Sequence, residues 1–204
     1  MSALLDSLSE HAGALSPHRQ AALERVRAGG LPSQRNERWK YTPLRALNAR
    51  RFALAGQAPR IDAEALATIP GPRLVFVNGV YSTELSRPDA PDGVRMACAA
   101  SNDEERAAES YARADEAFAA LNLALSPGGA RVHVEARARV EIPVHLVFVG
   151  APAGADLASH QVHRIHVEAG ARLTLVEHHV AAGEHRNLDN HLLAVELGAD
   201  AQLL

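Results

Sequence analysis

The chain has 204 residues, enough for one large domain or two small ones, with 47% hydrophobic residues, 22% charged residues and a formal net charge of −3 at pH 7. That balance gives no bulk electrostatic pull towards nucleic acid or an anionic membrane surface, and no long run of one charge sign interrupts it. A single cysteine, Cys98, excludes an intrachain disulfide; flanked by alanines and with no base beside it, it reads as a small hydrophobe, in keeping with a reducing compartment. Asp6 and Glu10 break the opening apolar residues where a signal peptide needs an unbroken core. No apolar run nears the roughly 20 residues of a spanning helix. A cytoplasmic protein with no membrane segment is expected.

The first third reads as helical. Ser16-Pro17 has the form of an N-cap with Pro at the first helical position, and Gly29-Gly30 supplies the stop; Ala21, Leu23, Val26 and Ala28 are the expected buried face. A short helix follows Pro43 through Leu44 and Leu47, and another is expected from Asp62 to Thr68, ended by Pro70-Gly71-Pro72. "RLVFVNGVYSTEL" then reads as a β-hairpin over residues 73–85, with Asn78-Gly79 at the turn. Ser101 and Glu104 have capping-box spacing, and Tyr111, Ala114, Phe118, Leu121 and Leu125 follow as one helical stripe, stopped by Pro127-Gly128-Gly129.

From Ala130 onward the pattern alternates as strands do, with a turn at Ile142-Pro143. The later segments repeat: Val167-Glu168-Ala169-Gly170-Ala171 aligns with Val195-Glu196-Leu197-Gly198-Ala199, 28 residues on, and Val134 aligns with Val167, 33 residues on, with Arg137 where the repeat has Gly. Strand, tight turn, strand, at a period of about 30 residues, is the signature of a β-solenoid, whose coils bury their apolar faces only against neighbours; a β-sandwich or jelly roll also spaces its turns evenly. The reading is an α+β chain: a mostly helical N-terminal domain over residues 1–126, then the first coils of a parallel β-helix over 127–204. The last residues form an apolar strand with no polar cap, so a truncated chain with an exposed strand edge prone to self-association is expected.

Nine of the eleven histidines lie between His133 and His191. Strand parity turns His163 inward with Ile165 and Val167, leaves Arg164, His166 and Glu168 outside, and carries Glu177 and His179 inward with Leu173 and Leu175. The 28-residue step stacks His191 on His163. His163, Glu177, His179 and His191 are thus candidate ligands for a transition metal, or else histidines hydrogen-bonded near strand ends. No His-Glu-x-x-His motif, close cysteine pair, P-loop, G-x-S-x-G elbow or G-x-G-x-x-G fingerprint accompanies them. No catalytic residue is assigned.

"GLPSQRNERWKYTPLRAL", "LVFVNGVYSTELS", "AFAALNLALSPGGARVHVEARARVEIPVHLVF" and "HRIHVEAGARLTLVEHHV" occur in that order. In this order they resemble the SufD family, a subunit type of the SufB–SufC–SufD scaffold for iron–sulfur cluster assembly. The resemblance implies a helical N-terminal domain, a right-handed parallel β-helix and a later region that docks the SufC ATPase. It implies a non-enzymatic scaffold acting with SufB-like and SufC-like subunits. The iron–sulfur cluster is then handled by the full complex, and no cofactor is expected on this chain. The family's later cluster-associated residues have no counterpart here. The alternative is a metal-dependent β-barrel or β-helix enzyme using the His/Glu set.

The only Trp lies in "NERWKYTPL". As an extended segment ahead of Pro43, it would set Trp39 and Tyr41 on one side and Arg38 and Lys40 on the other. Trp39 and Tyr41 are expected as structural anchors, with contact to a partner as the other reading.

Overall fold

Ser2 accepts the Leu5 N–H at 3.2 Å and so starts α1 (Ala3–His11), whose Leu4, Leu5 and Leu8 fall on one face and are buried. The computed structural model describes residues 2–100 and 116–204. Helix α2 (Pro17–Gly29) begins with its Pro and ends at Gly30, whose φ of 72° lies in the left-handed region. Ser16 stands at the cap position, but its hydroxyl makes no capping bond. The buried face is Ala22, Leu23 and Val26, while Ala21 and Ala28 point to solvent. Leu23 and Val26 are thus buried as expected, and Ala22, four residues before Val26, takes the place expected of Ala21.

Helix α3 (Arg45–Asn48) follows Pro43 as expected. The helix expected over 62–68 is a 3-10 turn, Ala63–Leu66, capped by the Asp62 carboxylate. Helix α4 (Ala117–Leu125) is buried from Ala119 through Leu125. It carries Phe118, Leu121 and Leu125; Tyr111, Ala114 and the Ser101–Glu104 capping box lie outside the described residues. Arg19 from α2 donates to the carbonyls of Ala124 at 2.9 Å and Ser126 at 2.8 Å, capping acceptors that the helix end leaves open. Helices α1, α2 and α4 share one core with Phe52 and Ala158. Each fully buried leucine there contributes about 1.5–3 kcal/mol.

The hairpin forms as expected. Strand β2 (Arg73–Val77) pairs antiparallel with β3 (Val80–Tyr81), and Asn78 and Gly79 both have positive φ, 48° and 81°. Gly79 is fixed by space as well as by angle: a Cβ there would fall 2.1 Å from the Ser159 Cβ. Arg73 is buried and donates to the carbonyls of Leu85 at 3.0 Å, Leu66 at 2.9 Å and Ile69, tying the hairpin to the 3-10 turn. Burial and the nearby Arg87 lower its pKa.

Parallel stacking dominates the rest. Strand β7 (Leu157–Val167) pairs along its whole length with β10 (Asn187–Leu197) on one edge. On its other edge β1 (Ala53–Leu54) pairs at the start and β5 (Gly128–Val134) at the end; β5 is flanked in turn by antiparallel β4 (Val94–Ala100). In a second sheet, β2 pairs parallel with β6 (Val144–Gly150), and β6 with β9 (Leu175–Ala181). The short strands β8 (Arg172–Leu173) and β11 (Gln202–Leu203) make a third. The fold is thus mixed α and β with no closed barrel among the described residues, and its hydrogen-bonded sheets cross position 126 through the β2–β6 and β4–β5 pairs.

The 33-residue step is in register, Val134 opposite Val167. The 28-residue step is not. Val167 faces Leu197, a step of 30, and Gln202 faces Arg172 at the same step. The turns show why: Arg137, Gly170 and Asp200 take equivalent positive φ values of 61°, 69° and 57°, so Asp200, and not Gly198, is the counterpart of Gly170. The Arg137 N–H donates to Ala169 O at 2.9 Å and the Gly170 N–H to Ala199 O at 2.8 Å, which stacks the three turns.

Candidate functional site: a histidine cluster on the stacked strands

Parity places His163 inward as expected: it is 1% exposed, between Ile165 and Val167 on one side and buried Gln161 on the other. Its ring meets Phe76 edge-on with centroids 5.3 Å apart, Phe148 at 5.1 Å and His191 perpendicular at 5.4 Å. His191 packs on Phe148 at 4.2 Å, and His179 lies 5.2 Å from Phe148 and 6.1 Å from His191. Three of the four candidate residues therefore gather around Phe148. Glu177 joins only through His179, 4.0 Å from its Oε2. His191 stands opposite Gln161 rather than His163 in the ladder. A slip of two residues keeps the face and moves the partner one pleat along, so the two rings meet diagonally.

The chemistry of the cluster follows from burial. His163 Nδ1 accepts the Ala130 N–H at 3.0 Å, so the neutral ring carries its proton on Nε2, which has no protein partner. Gly129 permits this approach, since a Cβ there would lie 2.4 Å from Val162 O and 3.1 Å from His163 Nδ1. Burial, with His191 second, pushes the His163 pKa down to about 3. Burial lowers His191 to about 4, opposed by Asp189 and aided by His179. These rings are neutral, aromatic packing groups at neutral pH. Among the described residues no group of three or more His, Cys, Asp or Glu side chains is placed to hold a metal ion.

Two further sets escaped the sequence reading. His160 is 2% exposed on the opposite face of β7, with its Nδ1 3.0 Å from Asn190 Nδ2; Asn190 also donates to Phe118 O at 2.8 Å. Burial, then His191, lowers its pKa to about 3. The signal was present in Ala158 and Val162, apolar neighbours of the same parity that pack on the helical core. His145 Nδ1 and His178 Nε2 lie 2.9 Å apart across β6 and β9, with His145 held low by burial, His178 and Arg73.

The outward face behaves as the alternation predicts. His133 and His166 stack at 5.0 Å, and Glu168 accepts from His133 Nε2 at 2.7 Å and from the Ala136 N–H at 2.9 Å. The His133 hydrogen bond, then the Ala136 one, holds the Glu168 carboxyl below its ordinary pKa.

The Trp39 stretch differs from expectation. Glu37–Trp39 is a 3-10 turn capped by the Asn36 side chain, not an extended segment, so strand parity does not apply. Trp39 is half-buried against Phe118, ring centroids 5.5 Å apart. Tyr41 is 86% exposed and anchors nothing in this structure; the Lys40 ammonium sits 5.3 Å from its ring centroid.

Residues 4–146 match the family described as SufBD protein N-terminal region. The chain is 30% identical over 192 residues to the iron-sulfur cluster assembly protein SufD of Escherichia coli (strain K12), covering 92% of this chain and 44% of that protein. It is 31% identical over 143 residues to an iron-sulfur cluster assembly SufBD family protein of Synechocystis, covering 64% of this chain and 31% of that protein. The chain thus spans less than half the length of these curated relatives. With 143 of its residues on the family's N-terminal region and SufD its relative over nearly the whole sequence, the chain belongs to the SufBD protein family as a SufD-like N-terminal portion.

Proposed function

We propose that this chain is a SufD-like scaffold component of iron–sulfur cluster assembly, acting without catalysis of its own alongside SufB-like and SufC-like subunits in the cytoplasm. The observation that carries the reading is the 30% identity across 92% of the chain to a protein named for that assembly. The stacked parallel strands support the corresponding architecture: steps of 33 and 30 residues, with turns in equivalent backbone conformation, are what successive coils of a right-handed parallel β-helix would produce. The division at residue 126 is part of the same proposal, with the helical core on one side and the repeating coils on the other.

His163 and His191 fit a packing role in such a stack, since burial keeps both rings neutral and both pack on Phe148. The outer edge of β10 pairs with no strand among the described residues, and Leu193, Val195 and Leu197 are 38–48% exposed. That edge is the surface through which coils, a SufB-like subunit or a second copy would add.

Deletion of the gene tests the function. Activities of iron–sulfur enzymes such as aconitase are expected to fall under iron limitation and to return on complementation. Undiminished activities in the deletion strain would overturn the reading.

A further inference from the structure

Residues 35–51 carry six cationic side chains, Arg35, Arg38, Lys40, Arg45, Arg50 and Arg51, against one acid, Glu37, in a chain whose overall charge is −3. Three are matched: Arg38 with Glu116 at 2.9 Å, Arg50 with Asp156 at 2.5 Å, and Arg51 with Glu10. Arg35, Lys40 and Arg45 are exposed and have no carboxylate partner among the described residues. Arg45 lines an open recess of about 480 Å³ with Leu31, Pro32, Pro43 and Leu44 as its apolar walls and Gln34 as a second polar one, and Gln34 donates to the Lys40 carbonyl at 3.2 Å. A second recess of the same volume adjoins it across the Leu31–Ser33 loop and includes Trp39. Lys40 and the exposed Tyr41 stand close by in sequence.

We propose that this face docks an acidic segment of a partner protein, with an apolar side chain of that segment seated between Leu31, Pro43 and Leu44 and its carboxylates met by Lys40 and Arg45. The recess has the size of a small binding pocket and accepts one or two side chains. An exposed tyrosine close to arginines is a pairing enriched at interfaces, with Lys40 suited to the polar rim. A nucleic acid fits less well: the walls are aliphatic, no ladder of stacking aromatics is present, and the chain as a whole is anionic. The residues that line this face take no part in the β10 ladder.

The probe is a fluorescein-labelled peptide of alternating Glu and Leu, titrated with the full chain by anisotropy, with emission of the single Trp followed in parallel. Binding should weaken with added salt, and Lys40→Glu with Arg45→Glu should weaken it about ten-fold or more. Both residues are exposed, so the thermal midpoint should stay unchanged. If the double reversal disturbs folding, Lys40→Gln with Arg45→Gln should give a smaller loss in the same direction. Equal binding by wild type and variants overturns the proposal. So does equal affinity for a Leu-free polyglutamate, which leaves the recess without a role, or for a single-stranded oligonucleotide of the same charge, which assigns the face to nucleic acid.

Discussion

His163 Nδ1 accepts the backbone N–H of Ala130 at 3.0 Å, fixing a neutral ring against Phe76 and Phe148. Protonating that nitrogen would set two donors against each other in a buried place. His160 and His191 resist protonation for the same reason of burial.

Acid should therefore unfold this protein. The three rings have folded pKa values of about 3, 3 and 4, against an ordinary value of 6.5. Between those limits the unfolded chain binds more protons than the folded one. Stability is whole above about pH 6.5 and falls as pH drops through the window, by up to about 1.4 kcal/mol per pH unit for each ring. Urea midpoints should decline steadily from pH 7 to about pH 4. His163→Leu should be less stable at pH 7 by about 1–3 kcal/mol, because the Ala130 N–H loses its acceptor, yet show a shallower pH slope. A midpoint that does not move with pH contradicts the neutral-ring assignment.

Asn78 is a turn residue with a second task. Its Oδ1 accepts from the Ala151 N–H at 2.8 Å and from Asn187 Nδ2 at 2.7 Å, and its Nδ2 donates to Ala151 O at 3.1 Å. Asn78→Gly keeps the positive φ and loses these bonds, at about 2–3 kcal/mol. Asn78→Ala adds the backbone strain, about 1 kcal/mol more. Equal midpoints for the two variants would show that the lost bonds alone matter; an Asn78→Gly midpoint equal to wild type would show that the turn alone matters.

The Trp39 ring is half-buried, so Trp39→Ala should cost about 1–3 kcal/mol, less than a fully buried Trp would. Tyr41→Ala should change stability by less than about 0.5 kcal/mol. Thermal or chemical unfolding of the two variants measures the contrast directly. A larger loss for Tyr41→Ala would mean that the ring is covered in solution.

Arg137 holds a φ of 61° that a side chain disfavours. Arg137→Gly should raise stability by about 0.5–1 kcal/mol, since Gly takes that conformation without strain. A fall in midpoint would show that the Arg137 side chain, which lies 3.6 Å from a Cβ built on Gly170, contributes packing that outweighs the strain.

Much of the fold was legible because its signals were local. Pro17, Gly30, Asn78-Gly79 and the alternation of β7 each state their geometry within a few residues. Parity put His163 inside and His166 outside, and the register error left that face unchanged because 28 and 30 are both even; parity did not hold for Glu177 and His179, which are exposed rather than inward. What failed needed knowledge of distant chain. Which of Gly198 or Asp200 takes the left-handed position is decided by the hydrogen-bonded stack of turns, and Asp, like Asn, tolerates that conformation. His160 is buried because α4 covers the second face of β7; Ala158 and Val162 mark that face as apolar, but what covers it comes from a distant part of the chain. Trp39 and Tyr41 were assigned to one side by assuming an extended segment where Asn36 caps a turn.

Strand β1 offers a consequence for how the chain is made. Ala53 and Leu54 have Leu157 and Ala158 as their strand partners, about a hundred residues later. During synthesis the N-terminal helices can begin to form early, yet the backbone of β1 has no ladder to join until β7 has left the ribosome. Closing so long a loop is slow, and the same edge of β7 must then receive β5 as well. The nascent protein thus spends much of its synthesis with an incomplete sheet, the interval in which a holding chaperone would have most to do.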